Sequence, residues 1–313
     1  METVSCNLCH SSNYRLLYNL TDLLLERKDV KSILVECLQC GLVYQNPRPT
    51  LEEMKAHYPP EYNLYNPEPY CETTPWLMKK AIQYGIRKRC RSVIRFRREG
   101  RLLDMGCATG TFLRGMHVFP NWELFGVEIN REAAHIAKEK HGLNVFAGTL
   151  EEANYPERYM DVVTLWDVLE HLHDPSSSLR EIHRILKPGG ILIFRVPNKD
   201  SWDAKLFGPY WVGLEPPRHL YVFDKDLLTL LLEQTGFKIH KISCSSGGYP
   251  TFVQSIRFLL TPLSGTRKPN QTLKYALLAT MSHPIMRLIS SPFFFLYGLG
   301  LRGSLITVTA VKA

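Results

Sequence analysis

No basic-then-apolar leader follows Met1, so a secretory address is not expected and a cytoplasmic location is. No internal repeat is apparent, which sets aside solenoid and propeller architectures. Nor is there a convincing membrane span: the uncharged stretch Leu288 to Leu301 is broken by Pro292 and by glycines, and it falls short of the ~20 apolar residues a bilayer requires. Acidic residues are outnumbered, with 30 Asp and Glu against 38 Lys and Arg and a formal charge of +8. Much of that excess lies between Lys79 and Arg101, and a run of this kind reads as the solvated face of a helix before it reads as a nucleic-acid patch.

What is present is ordinary for a folded protein: 45% hydrophobic and 22% charged residues over a length that suits one large domain and a small appendage. Eight cysteines without a leader point to a reducing compartment, where grouped thiols bind metal more often than they form disulfides. Cys6-Asn-Leu-Cys9 and Cys37-Leu-Gln-Cys40 are two C-x-x-C turns. Each offers two thiolates, and the two together complete a tetrahedron around zinc. With four cysteine ligands the site is closed and therefore structural. It would fold residues 1–48, a segment with little core of its own. The proline- and tyrosine-rich residues 49–75 read as a connector, and residues 76–313 as the main domain, beginning with a helix from Pro75 to Arg98.

The chain is organised around Arg101-Leu-Leu-Asp-Met-Gly-Cys-Ala-Thr-Gly-Thr-Phe-Leu113. This is an apolar strand ending in an acid, then a small-residue loop, then an apolar helix start, the place where an open α/β sheet binds its ligand. The loop reads Gly106-x-Ala108-x-Gly110 rather than the G-x-G-x-x-G of dinucleotide sites, and Asp104 precedes it. A carboxylate there repels phosphate and suits a cation; S-adenosylmethionine, with a sulfonium, an ammonium and no phosphate, fits. Strands are predicted near 101–104, 124–129, 145–147, 161–167 and 190–196, with helices over Arg131 to His141, Ser176 to Leu186 and Phe223 to Gly236. Two further strands, 237–243 and 304–312, complete the set. Such alternation predicts a parallel, doubly wound α/β sheet of seven strands. A helical insertion, about Gly247 to Gly303, precedes the last strand. Its apolar residues 252–301 pack over the sheet, line a pocket for a lipid-like acceptor, or rest on a membrane surface.

These motifs resemble the class I S-adenosylmethionine-dependent methyltransferases, over roughly residues 100 to 245. The resemblance implies a Rossmann-like fold with a final antiparallel strand and a cofactor bound by Asp104, Gly106, Ala108 and Gly110. It implies that Glu128 and Ile129 meet the ribose and its surroundings, that Thr149 and Leu150 meet the adenine, and that Trp166 ends the fourth strand beside it. Ala108 replaces the usual glycine, which should crowd the ligand only slightly. In zinc-knuckle relatives the linker lies over the pocket, which would make Tyr62 or Tyr65 a lid; the alternative is a surface linker with packed aromatics.

For the acceptor, the candidate side chains are Arg218, His219 and Tyr221 in the polar segment Trp211 to Phe223, and Glu170 and His171 in the loop after the fourth strand, a pair that in related sequences shapes the cofactor pocket and whose role is structural or catalytic. His219 is the expected general base, with Tyr221 and Arg218 placing the acceptor. The Asn/Asp-Pro-Pro-Tyr signature of enzymes that methylate nucleic-acid amino groups is missing. That counts against methylation of a nucleic-acid base. The segment Pro216-Pro-Arg-His-Leu220 resembles zinc-knuckle relatives that act on small molecules, and this resemblance implies methyl transfer to an oxygen, or less readily a carbon, of a small molecule, sugar or lipid-linked intermediate. An RNA methyltransferase using the zinc knuckle and basic helix is one alternative, and a cofactor-binding scaffold without catalysis another.

Overall fold

A computed structural model describes residues 1–59, 62, 76–245, 248–261, 277–281, 283–297 and 301–313. Three strands come first: β1 (Tyr14–Asp22), β2 (Arg27–Cys37) and β3 (Val43–Gln45). The helix Trp76–Ile94 then leads into the large sheet. Its strands are β4 (Gly100–Met105), β5 (Trp122–Glu128), β6 (Val145–Ala147), β7 (Met160–Trp166) and β8 (Leu186–Pro197). After the short β9 (Tyr221–Val222) come β10 (Phe237–Ser245) and β11 (Leu305–Lys312).

The large sheet has the order β10-β11-β8-β7-β4-β5-β6. Strands β4 to β8 run parallel, and β11 is antiparallel to both β8 and β10. This is the seven-stranded, doubly wound sheet expected, with the final antiparallel strand in place. Because β4 has β5 on one side and β7 on the other, the chain reverses its winding there. The crevice beyond the carboxyl ends of β4 and β7 is the topological switch point of the sheet. All seven residues of β7 are buried, as a central strand covered on both faces must be. Asn130 and Asp224 act as the expected N-caps: their side chains accept from the amides of Ala133 and Leu227. The helix expected over Arg131 to His141 is α-helical only to His135 and continues as a π turn, Ile136–Lys140.

The N-terminal segment departs furthest from expectation. The long gap between the two cysteine pairs is filled by the antiparallel hairpin β1–β2. These strands belong to a second sheet, β1-β2-β3-β9, whose last member is supplied by residues 221–222. Cys6, Leu8, Val35, Leu42 and Tyr44 also share one continuous core with Leu103, Leu165 and Leu220. A boundary at residue 48 therefore cuts through a sheet and a core that are shared. The segment is built onto the main domain, because its own apolar surface is too small to close on itself.

Within the insertion, helices run over Gly248–Leu259 and Pro284–Tyr297. Among the described residues no helix is long and apolar enough to cross a membrane. Tyr65 lies outside the described residues.

Candidate active site

The loop after β4 is shaped by three left-handed residues, Gly106 (φ 71°), Ala108 (φ 48°) and Gly110 (φ 79°). At Gly106 a Cβ would lie 2.5 Å from Val168 Cγ2, and at Gly110 2.1 Å from the flexible end of Leu143, Cδ1, so Gly106 is required for space as well as for φ, and Gly110 for φ. Ala108 carries a side chain at a left-handed position between these two glycines. The burden of this substitution is the backbone, since an L-residue is disfavoured at positive φ.

Glu128, at the end of β5, fastens this loop. Its Oε2 accepts from the amide of Ala108 at 2.8 Å and its Oε1 from that of Asn130 at 2.8 Å. Burial raises its pKa, against the lowering effect of those amides. Asp104 is buried beneath the loop and accepts a 2.6 Å hydrogen bond from Thr164 Oγ1. Burial pushes its pKa up to about 7; Thr164 and the nearby Arg89 oppose the shift, and Glu128 adds to it. Two buried acids, Asp104 and Glu128, thus flank an irregular loop at the switch point of the sheet.

Trp166 closes one side. It meets Phe112 edge-on at 5.5 Å, and Arg89 lies over its ring at 5.2 Å. Arg89 is also 3.5 Å from Asp167, which Arg195 holds through both carboxylate oxygens. One arginine of the basic run thus turns inward, which the charge pattern did not distinguish. Thr164, Arg89 and Arg195 surround Asp104 and Asp167, and sequence reasoning did not single them out. The signal for Thr164 was a lone hydroxyl within an apolar strand.

Three expected cofactor contacts find different places. Ile129 is 54% exposed at the strand end, free to cover a ligand. Thr149 spends its hydroxyl and amide in a capping box with Glu152 at the start of the helix Leu150–Ala153. Leu150 is fully buried in the core, so its side chain anchors that helix and is not a wall of the pocket.

From Gly106 the structure steps through Val168 to the short helix Leu169–His171 and so to the acceptor side. His171 and His219 meet edge to face with ring centroids 4.6 Å apart. His171 Nδ1 is 3.0 Å from the Arg218 carbonyl and 3.0 Å from the Tyr58 hydroxyl; His219 Nδ1 is 2.8 Å from the Gly213 carbonyl. A carbonyl only accepts, so each Nδ1 carries a proton, and His219 Nε2 lies 3.9 Å from the Glu215 carboxylate. Burial lowers the His171 pKa to about 3, keeping that ring neutral. Glu170 is 1% exposed, its pKa pushed well above the usual carboxylate range by burial and by Asp167.

Two expected acceptor contacts are corrected. Arg218 is wholly buried and bound to Asp22 of β1 at 2.7 and 2.9 Å and to Glu215 at 3.0 Å. It ties the segment before β9 to the end of β1 and has no surface to offer a substrate. Tyr221 is buried in β9, where its hydroxyl donates to the His173 carbonyl and accepts from Arg48. Tyr62 is likewise buried, donating to Glu215 at 2.7 Å with Arg218 over its ring. It is a fixed cover on this network.

Sγ atoms of Cys6, Cys9, Cys37 and Cys40 converge within 4.8 Å, with Cys6–Cys40 3.5 Å and Cys9–Cys37 3.4 Å apart. Metal–sulfur bonds of about 2.3 Å in a tetrahedron place sulfurs at close to this separation, so the donors fit zinc.

Residues 79–242, just over half of the chain, match the family described as a methyltransferase domain. The ubiquinone biosynthesis O-methyltransferase of Proteus mirabilis is 33% identical over 122 residues, covering 36% of this chain and 49% of that protein. The demethylmenaquinone methyltransferase of Chlorobaculum tepidum is 28% identical over 132 residues, 41% of this chain and 54% of that protein. The chain spans about half the length of these curated relatives. Among solved structures, the [4+2]-cyclase SpnF superposes with a TM-score of 0.52 at 20% identity, over 85% of this chain and 97% of that one; at this identity the likeness speaks for the fold alone. With the matched family, the seven-stranded sheet and the acid-lined loop at its switch point in agreement, the chain belongs to the class I S-adenosylmethionine-dependent methyltransferases.

Proposed function

We propose that this protein transfers the methyl group of S-adenosylmethionine to a hydroxyl oxygen of a small molecule. The observation that carries the reading is the pair of imidazoles, His171 and His219, with both Nδ1 protons held by carbonyls beside the switch-point loop. Asp104, Glu128 and the Gly106–Gly110 loop would bind the cofactor, with Ile129 and Trp166 flanking it. His219 Nε2 would accept the acceptor's proton as its oxygen attacks the sulfonium methyl; the sulfur–carbon bond breaks and S-adenosylhomocysteine leaves. Both quinone-pathway relatives carry names of small-molecule methyltransferases, and one is an O-methyltransferase, which supports an oxygen acceptor. A carbon acid would use the same base to form an enolate-like nucleophile. A sugar or lipid-linked acceptor stays within this reading. The four cysteines would hold a structural zinc that pins the β1–β2 hairpin.

The test is calorimetric titration with S-adenosylmethionine, followed by a hydroxyl-acceptor screen with His219→Ala as control. Cofactor binding with turnover lost in the variant is expected. Absence of binding to the intact protein overturns the reading, and full turnover by the variant overturns the role of His219.

A further inference from the structure

We propose that Glu170, His171 and His219 form a binding site for a divalent transition cation, distinct from the four-cysteine site. One ligand atom from each of the three lies within 4.8 Å of those of the other two. They come from two segments far apart in sequence, and the main chain holds those segments together: the Leu220 amide donates to the Glu170 carbonyl at 2.8 Å.

Three features make this more than a coincidence of polar groups. Each imidazole gives its Nδ1 proton to a backbone carbonyl, Arg218 for His171 and Gly213 for His219. That is the outer-shell arrangement that fixes metal-ligating histidines and presents the opposite ring nitrogen; at His219 that nitrogen also has the Glu215 carboxylate 3.9 Å away. Glu170 is 1% exposed, yet neither of its carboxylate oxygens has a hydrogen-bond partner among the described residues. A buried carboxylate without a partner is uncommon and calls for an explanation such as a bound ion. The donor set, two imidazoles and one carboxylate, leaves a coordination position open, as in catalytic zinc sites. It suits zinc, cobalt or iron(II) and disfavours magnesium, which prefers oxygen donors.

The consequence rests on the methyl-transfer reading. His219 Nε2 is the lone pair assigned to the acceptor's proton, so a cation there and proton transfer to His219 exclude one another. The site would let a transition cation silence the base reversibly.

The experiment starts from protein whose zinc content is one ion per chain and titrates cobalt(II), with calorimetry and visible absorption in parallel. The expected result is a second ion with weak ligand-field bands and without the intense thiolate absorption of a cysteine-bound cobalt. Glu170→Gln and His171→Ala should each weaken that second ion at least tenfold while the cysteine-bound zinc stays in place. No second ion, a second ion with a thiolate spectrum, or one indifferent to both variants overturns the proposal. S-adenosylmethionine binding is measured on the same samples. Its absence would overturn the methyltransferase reading while leaving the cation site standing.

Discussion

The two halves of the candidate active site are assembled in opposite ways. The cofactor side is local: the Gly106–Gly110 loop and the Glu128–Asn130 turn sit at the ends of adjacent parallel strands and bond directly through backbone amides. The acceptor side is collected from afar. His171 follows β7, His219 precedes β9, Tyr58 and Tyr62 come from the connector, and Asp22 reaches Arg218 across 196 residues. A backbone-built pocket tolerates sequence change around its glycines and acids. A side-chain-built pocket depends on every strut that holds it.

The sharpest way to break this comparison is Asp22→Ala. It leaves Arg218 buried without its main partner, and breaking such a pair costs about 3–5 kcal/mol. Urea unfolding should show that loss, far beyond what a hairpin residue outside an active-site framework would give. Restoring a carboxylate with Glu at position 22 should recover part of it.

On the cofactor side, Glu128→Ala removes the acceptor of two backbone amides and the acid proposed to meet the cofactor. Cofactor affinity should fall about 100-fold, near 3 kcal/mol, as read by calorimetry. A loss below fivefold would detach Glu128 from the ligand.

A smaller effect follows from Asp104, whose pKa stands at about 7 in the free protein against an ordinary 3.8. A cationic ligand favours the ionised form, so binding should release a proton. Affinity should weaken by up to about tenfold per pH unit below 7 and level off above it. Titration in buffers of different ionisation enthalpy measures that proton. Stability of the free protein runs the other way. The folded form holds the proton more tightly, so this carboxyl's contribution is greatest at low pH and is lost as pH rises from the unfolded value toward 7. Asp104→Asn should therefore stabilise the free protein above pH 7 while weakening cofactor binding. A variant no more stable than the parent at that pH would contradict the burial effect.

The smallest effect expected is at Ala108. Ala108→Gly relieves a left-handed alanine and should raise stability by no more than about 1 kcal/mol. Cofactor affinity should change less than twofold if crowding is absent.

Legibility in the sequence followed the same division. Asp104, the two glycines, Glu128 and the Asn130 and Asp224 caps were readable because each acts through spacing along the chain. The cysteines were readable because metal geometry leaves a spacing signature. The hairpin between them was not foreseen, since Arg15, Lys28 and Lys31 interrupt its apolar alternation on the exposed face. Two residues of β9 carry too little pattern to announce a strand at all. Arg218 looked like a substrate contact and Arg89 like a solvated charge. Only the positions of Asp22 and of Trp166 with Asp167 decide otherwise.

By itself, then, the sequence determined the doubly wound sheet, its switch point and the cofactor loop, because strand–helix alternation and turn chemistry are local in the chain. The tertiary structure alone decided that the cysteine segment and the main domain share a sheet and a core, and that Glu170, His171 and His219 meet. Burial and pairing of charged side chains depend on which distant segments pack together, and no periodicity along one segment records its partner.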